Sequence, residues 1–268
     1  VKFVDTHCHV HELTEALTPT HEKWFADKAT RSSESVLSSA AQTGVTKLIA
    51  IGTTLKDSQL AVRFAGAHEG VWASIGIHPH EAKDHLSDDV RKQFEALVTE
   101  KKVVAVGECG LDYFYTHSPK EAQEEILRFQ IELALEHNLP MSFHVRSAFD
   151  DFWPIFESYT GVRGVLHSFT DSQANMERAL GHSLLIGVNG IATFTGDKGQ
   201  LEVYKSIPDD ALLLETDAPY LTPKPFRGKV CEPKHVAVTA EFLAGLKNVP
   251  LEQIAKITTA NAEKLFKV

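Results

Sequence analysis

Eight short, β-branched and nearly uninterrupted apolar runs recur along this chain. They are VKFVD (1–5), VTKLIAIG (45–52), VWASIGI (71–77), VVAVGE (103–108), PMSFHV (140–145), GVLHSF (164–169), LLIGVN (184–189) and ALLLETD (211–217). A strand with one wet face alternates apolar and polar residues. A continuous apolar run is the pattern of a parallel strand buried on both faces.

Parallel strands need crossovers, and helical patterns lie between the runs. The clearest covers 118–138, where Ser118 suits a cap, Pro119 the first turn, and Ile126, Phe129, Ile131, Leu133 and Leu135 the apolar surface. A second pattern, 32–44, ends in Gly44, and residues 232–246 and those after Pro250 read as closing helices. Eight strands alternating with helices in roughly 250 residues is the arithmetic of a (β/α)8 TIM barrel. A doubly wound open sheet shares the alternation.

The residues at the run ends favour the barrel. His7 and His9 follow the first run on one face, with Cys8 on the other. His78 follows the third run. Glu108, His144, His167, Asn189 and Asp217 lie at the ends of the fourth to the eighth. A closed barrel gathers such ends around one mouth, whereas an open sheet strings them along a line. No Pro/Gly/Ser-rich linker divides the 268 residues, so one domain, 1–268, is expected.

His7, His9, Glu108, His144, His167 and Asp217 offer four imidazoles and two carboxylates. One tetrahedral ion takes fewer protein ligands. The set suits two divalent ions about 3.5–4 Å apart, bridged by a carboxylate and a water. Imidazole and carboxylate together admit Mg, Mn or Zn. Histidines in helices or loops are ordinarily surface or hydrogen-bonded residues, and His21, His68, His85, His117, His137, His182 and His235 carry no weight. His11 lies beyond the strand and reads as a neighbour of the ligands or a solvated side chain.

Around the candidate ligands, Asp112 and Tyr113 are placed to support Glu108 or brace their loop. Asp5 is placed to orient imidazoles, and Arg146, two residues after His144, to meet substrate or a carboxylate. The net charge of −9 argues against a protein that coats long nucleic acid through a basic face. The segment KPFRGKVCEPK (224–234) is nevertheless a local basic island, with Lys224, Arg227, Lys229 and Lys234 against Glu232. Loops after strands seven and eight of this fold often take phosphate, and the planar fork of Arg227 suits one. Three widely spaced cysteines, no signal-like start and no run long enough to span a bilayer lead to an expectation of a reducing, cytoplasmic setting with no membrane and no obligate protein partner.

The motifs DTHCHV, GIHPH, VGECGLDYF, FHVRSA, LHSF, LLETDAPYL, PFRGK and ITTANAEKLF (257–266) occur in the order seen in TatD-like metal-dependent hydrolases of the amidohydrolase superfamily. The chain resembles that family over essentially its whole length. The resemblance implies a TIM barrel with a two-metal site that hydrolyses phosphodiesters, as a deoxyribonuclease. It implies that His7, His9, Glu108 and Asp217 hold one metal and Glu108, His144 and His167 the other. Asp217 would orient the attacking water and take its proton, and His78 and Arg227 would contact substrate phosphate. The implied substrate is single-stranded DNA or 3′ ends. A metal-dependent hydrolase of another ester or amide, such as an aminoacyl ester on tRNA, is the alternative, and a metal-binding protein without turnover a weaker third. His11, Thr195, Phe226, Val230 and Cys231 depart from the family pattern, which thins the polar rim and leaves the ligands intact.

Overall fold

In the computed structural model, which describes residues 1–268, eight strands alternate with helices. The strands are β1 (Phe3–Cys8), β2 (Val45–Ile51), β3 (Val71–Ile75), β4 (Val103–Asp112), β5 (Met141–Arg146), β6 (Gly164–Leu166), β7 (Leu185–Val188) and β8 (Leu212–Leu214). They form one sheet in chain order, and the paired strands run parallel. The last strand returns to the first: Thr6 Oγ1 donates to the Leu214 carbonyl at 2.9 Å, and a parallel bridge joins Cys8 to Ala218. The fold is a (β/α)8 barrel. No helix is long and apolar enough to cross a membrane.

By internal packing the chain divides into two compact units, Val1–Ala50 with Ser168–Val268, and Ile51–His167. In the first, the long C-terminal helix Leu251–Phe266 lies against β1 and β8. Every residue of β1 is buried, as its unbroken apolar pattern requires. Helix Ser33–Gln42 starts at a capping box in which the Ser32 and Ser35 side chains each accept the other's backbone N–H.

In the second unit, the helix Lys120–Glu136 covers β4, and Phe143 of β5 packs edge-on against Phe152 and Phe156. Two expectations are corrected here. Ser118 does not cap the helix. Its hydroxyl donates to the His80 carbonyl at 2.7 Å and accepts from Lys83 N at 3.2 Å, tying the β3 and β4 loops together. And β4 does not stop at Glu108; it pairs with β5 as far as Asp112 opposite Arg146. Near Glu108 the strands approach very closely. Gly107 has φ +137°, and a Cβ on it would run into the Ser142 carbonyl, so only glycine fits.

Candidate active site

In the unit Ile51–His167, one carboxylate collects three imidazoles. Glu108 Oε1 lies 2.9 Å from His144 Nδ1, 3.4 Å from His167 Nε2 and 3.5 Å from His78 Nε2. His144 comes from β5, opposite Gly110 of β4. His167 follows β6 directly. His78 lies beyond β3 and heads the short 3-10 turn Pro79–Asp84, where its Nδ1 accepts from His80 N at 3.1 Å.

A second carboxylate sets the ring of His144. Asp112 Oδ2 accepts from His144 Nε2 at 3.0 Å and from His80 Nε2 at 3.0 Å, and Oδ1 accepts from Phe114 N and Tyr115 N. Burial works against charge on Asp112, but the bonds from His144 and His80 outweigh it and hold the carboxyl well below its usual range. Burial likewise disfavours charge on His144, and its bonds to Asp112 and Glu108 prevail and raise its pKa. Held between two carboxylates, the ring is fixed with Nδ1 toward Glu108 and Nε2 toward Asp112. His78 differs: burial takes it down to about 4 against the pull of Glu108, so it is neutral near pH 7, with Nδ1 accepting from His80 N and Nε2 left as the N–H donor.

In the unit formed by Val1–Ala50 and Ser168–Val268, the donors gather where β8 meets β1. Asp217 Oδ1 lies 3.4 Å from His9 Nε2 and 3.7 Å from His7 Nε2. The backbone is pinned on both sides, since Asp217 N donates to the His7 carbonyl and His9 N to the Ala218 carbonyl, each at 2.8 Å. Asp217 has φ +61°, a left-handed conformation that an aspartate tolerates at a cost of about 1 kcal/mol or more.

Asp5 acts on the backbone and not on the rings. It accepts from Thr216 Oγ1 at 2.6 Å, Thr216 N at 2.9 Å and His7 N at 3.3 Å. Burial pushes its pKa up to about 8, despite those bonds. Glu215, which gave no functional signal inside an apolar run, is fully buried. Its Oε1 accepts from Ser168 N at 2.6 Å and Asn189 Nδ2 at 3.3 Å, and a Cβ on Gly187 would occupy the space of its carboxylate. Asn189 therefore braces this end of the unit through Glu215 and Ser168, which it also bonds at 2.8 Å. His11 is fully buried, so it is not a solvated side chain, and its ring centroid lies 6.3 Å from that of His9.

The basic island is partly neutralised. Lys234 pairs with Glu232 at 2.7 Å, and Arg31 joins Glu232 to Asp27. Arg227 lies flat on the Phe194 ring, 3.8 Å from its centroid, and donates to the Thr222 carbonyl at 3.1 Å. Arg146 is exposed and rests on Phe114 and Tyr115.

The Glu108 group could hold a divalent ion. His78, Glu108 and His144 each aim one ligand atom into the same small volume, with those atoms within 4.8 Å of one another. In the other unit, two imidazole nitrogens converge on a carboxylate oxygen. The sequence profile described as "TatD related DNase" matches residues 4–267. The chain belongs to the TatD family. The uncharacterized metal-dependent hydrolase YabD of Bacillus subtilis is 38% identical over 254 residues, covering 94% of this chain and 99% of that protein. The 3′-5′ ssDNA/RNA exonuclease TatD of Citrobacter rodentium is 33% identical over 240 residues, covering 87% and 91%. Among solved structures, YJJV, a TatD homolog from Escherichia coli K12, superposes with a TM-score of 0.87 at 31% identity, over 99% of this chain and 98% of that one. As a TatD-family protein, this chain is a metal-dependent hydrolase.

Proposed function

We propose that the chain is a metal-dependent deoxyribonuclease that removes nucleotides from the 3′ ends of single-stranded DNA. The observation that carries this reading is the donor set: four imidazoles and two carboxylates at strand ends of a barrel, with no thiolate among them. His7, His9, Glu108 and Asp217 would hold one ion, and Glu108, His144 and His167 the other, with Mg, Mn or Zn as candidates. Bound ions would polarise the scissile phosphoryl group and make water acidic enough to attack it.

The chain's own residues do the rest. Asp217 orients the attacking water and takes its proton as the new P–O bond forms. The P–O bond to the 3′-oxygen breaks, and that oxygen takes a proton from solvent. His78, neutral near pH 7, sits beside Glu108 and donates a hydrogen bond from Nε2 to the phosphate without adding charge. Arg227, preset on Phe194, and Arg146 bind phosphate oxygens through their planar forks.

The test is a 5′-labelled single-stranded DNA incubated with Mg or Mn, with Asp217→Asn in parallel. A shortening ladder from the wild type alone supports the reading. A protein that binds about two ions and cuts no nucleic acid would redirect the assignment to another ester, such as an aminoacyl ester on tRNA. The pairing of Lys234 to Glu232, which lowers the local positive charge, is the observation that favours that second reading.

A further inference from the structure

Only five large apolar side chains stand exposed on this protein, and two are adjacent: Phe114 and Tyr115, 59% and 48% exposed. Burial of such rings is ordinarily favourable, so an exposed pair beside a polar site calls for a ligand. These rings are not loose. The Asp112 carboxylate that orients His144 also accepts the backbone N–H of both, at 2.9 and 3.0 Å. Tyr115 stacks on His117 at 5.8 Å with 9° between planes, and His117 in turn lies 4.5 Å from His80, which bonds Asp112.

Over them lies Arg146, with its guanidinium carbon 4.3 Å from the Phe114 centroid and 4.8 Å from that of Tyr115. It makes no ion pair with a carboxylate, so its charge is left for a ligand. Two exposed rings set at 86° to each other and a guanidinium with no carboxylate partner, fixed to the carboxylate that sets an active-site imidazole, match one ligand chemistry. That is a stacked base with its adjoining phosphate.

We propose that Phe114, Tyr115 and Arg146 form a base-stacking platform that grips an unpaired nucleotide of single-stranded nucleic acid next to the Glu108–His144 site. The proposal rests on the nuclease reading and adds to it the part of the substrate that is recognised. A base inside a duplex has both faces covered by its neighbours and its edge held by its partner, so the platform favours single strands without reading sequence.

The experiment compares a short 5′-labelled oligothymidylate with a twin whose terminal 3′ nucleotides lack bases. Cleavage is followed for the wild type and for Phe114→Ala/Tyr115→Ala. Binding of both probes is followed by fluorescence anisotropy in the Asp217→Asn background, and folding by circular dichroism. The wild type is expected to show a KM about tenfold higher for the abasic twin, and the double variant to lose that preference. Arg146→Ala is expected to weaken both probes alike. A wild type indifferent to the missing bases, or a folded double variant that keeps the preference, overturns the platform. If nothing is cut but binding is base-dependent and lost with the two rings, the platform stands and the nuclease reading falls. If the protein neither cuts nor binds either probe, both fall.

Discussion

Asp112 Oδ2 lies 3.0 Å from His144 Nε2, and the same imidazole turns its Nδ1 to Glu108 at 2.9 Å. A carboxylate behind a ligating histidine fixes the ring and raises its basicity. Here it leaves Nδ1 turned toward Glu108.

Asp112→Asn is therefore expected to lower metal affinity at the Glu108–His144 group by about 10–100-fold. Isothermal titration with Mn or Zn checks this, with residual metal content of the purified variant as a second readout. Unchanged affinity for both ions would show that Glu108 alone positions the ring.

Asp217→Asn is expected to lower kcat by about 10²–10⁴-fold, the usual span for loss of a proton acceptor, with the fold retained. The pinned backbone at His7 and Ala218 does not depend on the carboxylate, so circular dichroism and Tm should change little. Activity near the wild-type level would remove Asp217 from its role.

For Arg227 the expected signature is in binding. Arg227→Ala should raise KM on phosphodiesters about tenfold with kcat nearly unchanged, the signature of the proposed substrate contact. Phe194→Ala should move KM in the same direction, by less, because it frees a guanidinium now held 3.8 Å above the ring. A kcat loss with constant KM would count against this assignment.

A pH effect on stability should trace to His235. Its Nδ1 accepts from Glu232 N at 3.0 Å, which requires that nitrogen unprotonated, and burial takes its pKa down from 6.5 to about 4. The unfolded chain binds the proton first as pH falls, so the stabilisation is fully present above about pH 6.5 and is lost between there and about 4. The slope is at most about 1.4 kcal/mol per pH unit. Urea midpoints across that window should fall more steeply for the wild type than for His235→Gln; equal slopes would exclude His235 as the source.

Much of the barrel was legible because its strands are buried on both faces, and burial writes itself as uninterrupted β-branched runs. The candidate ligands were legible for a related reason. An imidazole or carboxylate at the end of such a run has no packing purpose there, and His7, His9, Glu108, His144, His167 and Asp217 all stood out this way. What the runs could not disclose depends on pairing across the sheet. The continuation of β4 to Asp112 is set by its register with β5, and no local pattern marks where it stops. Glu215 carried no signal in its apolar run, yet it lies wholly inside, in a space opened by Gly187. His80 and His117 were indistinguishable from surface histidines until Asp112 and Tyr115 were seen beside them. Ser118 had the right residue type for a cap, and a loop carbonyl took its proton instead.

The bond between Asp5 and Thr216 spans 211 positions of the chain. During synthesis, Asp5 emerges early and waits for nearly the whole polypeptide before Thr216 arrives to fasten the segment that carries Asp217. A nascent or C-terminally clipped chain can hold His7 and His9 without the carboxylate that completes them. The His7, His9 and Asp217 group is thus assembled only as the last strand docks.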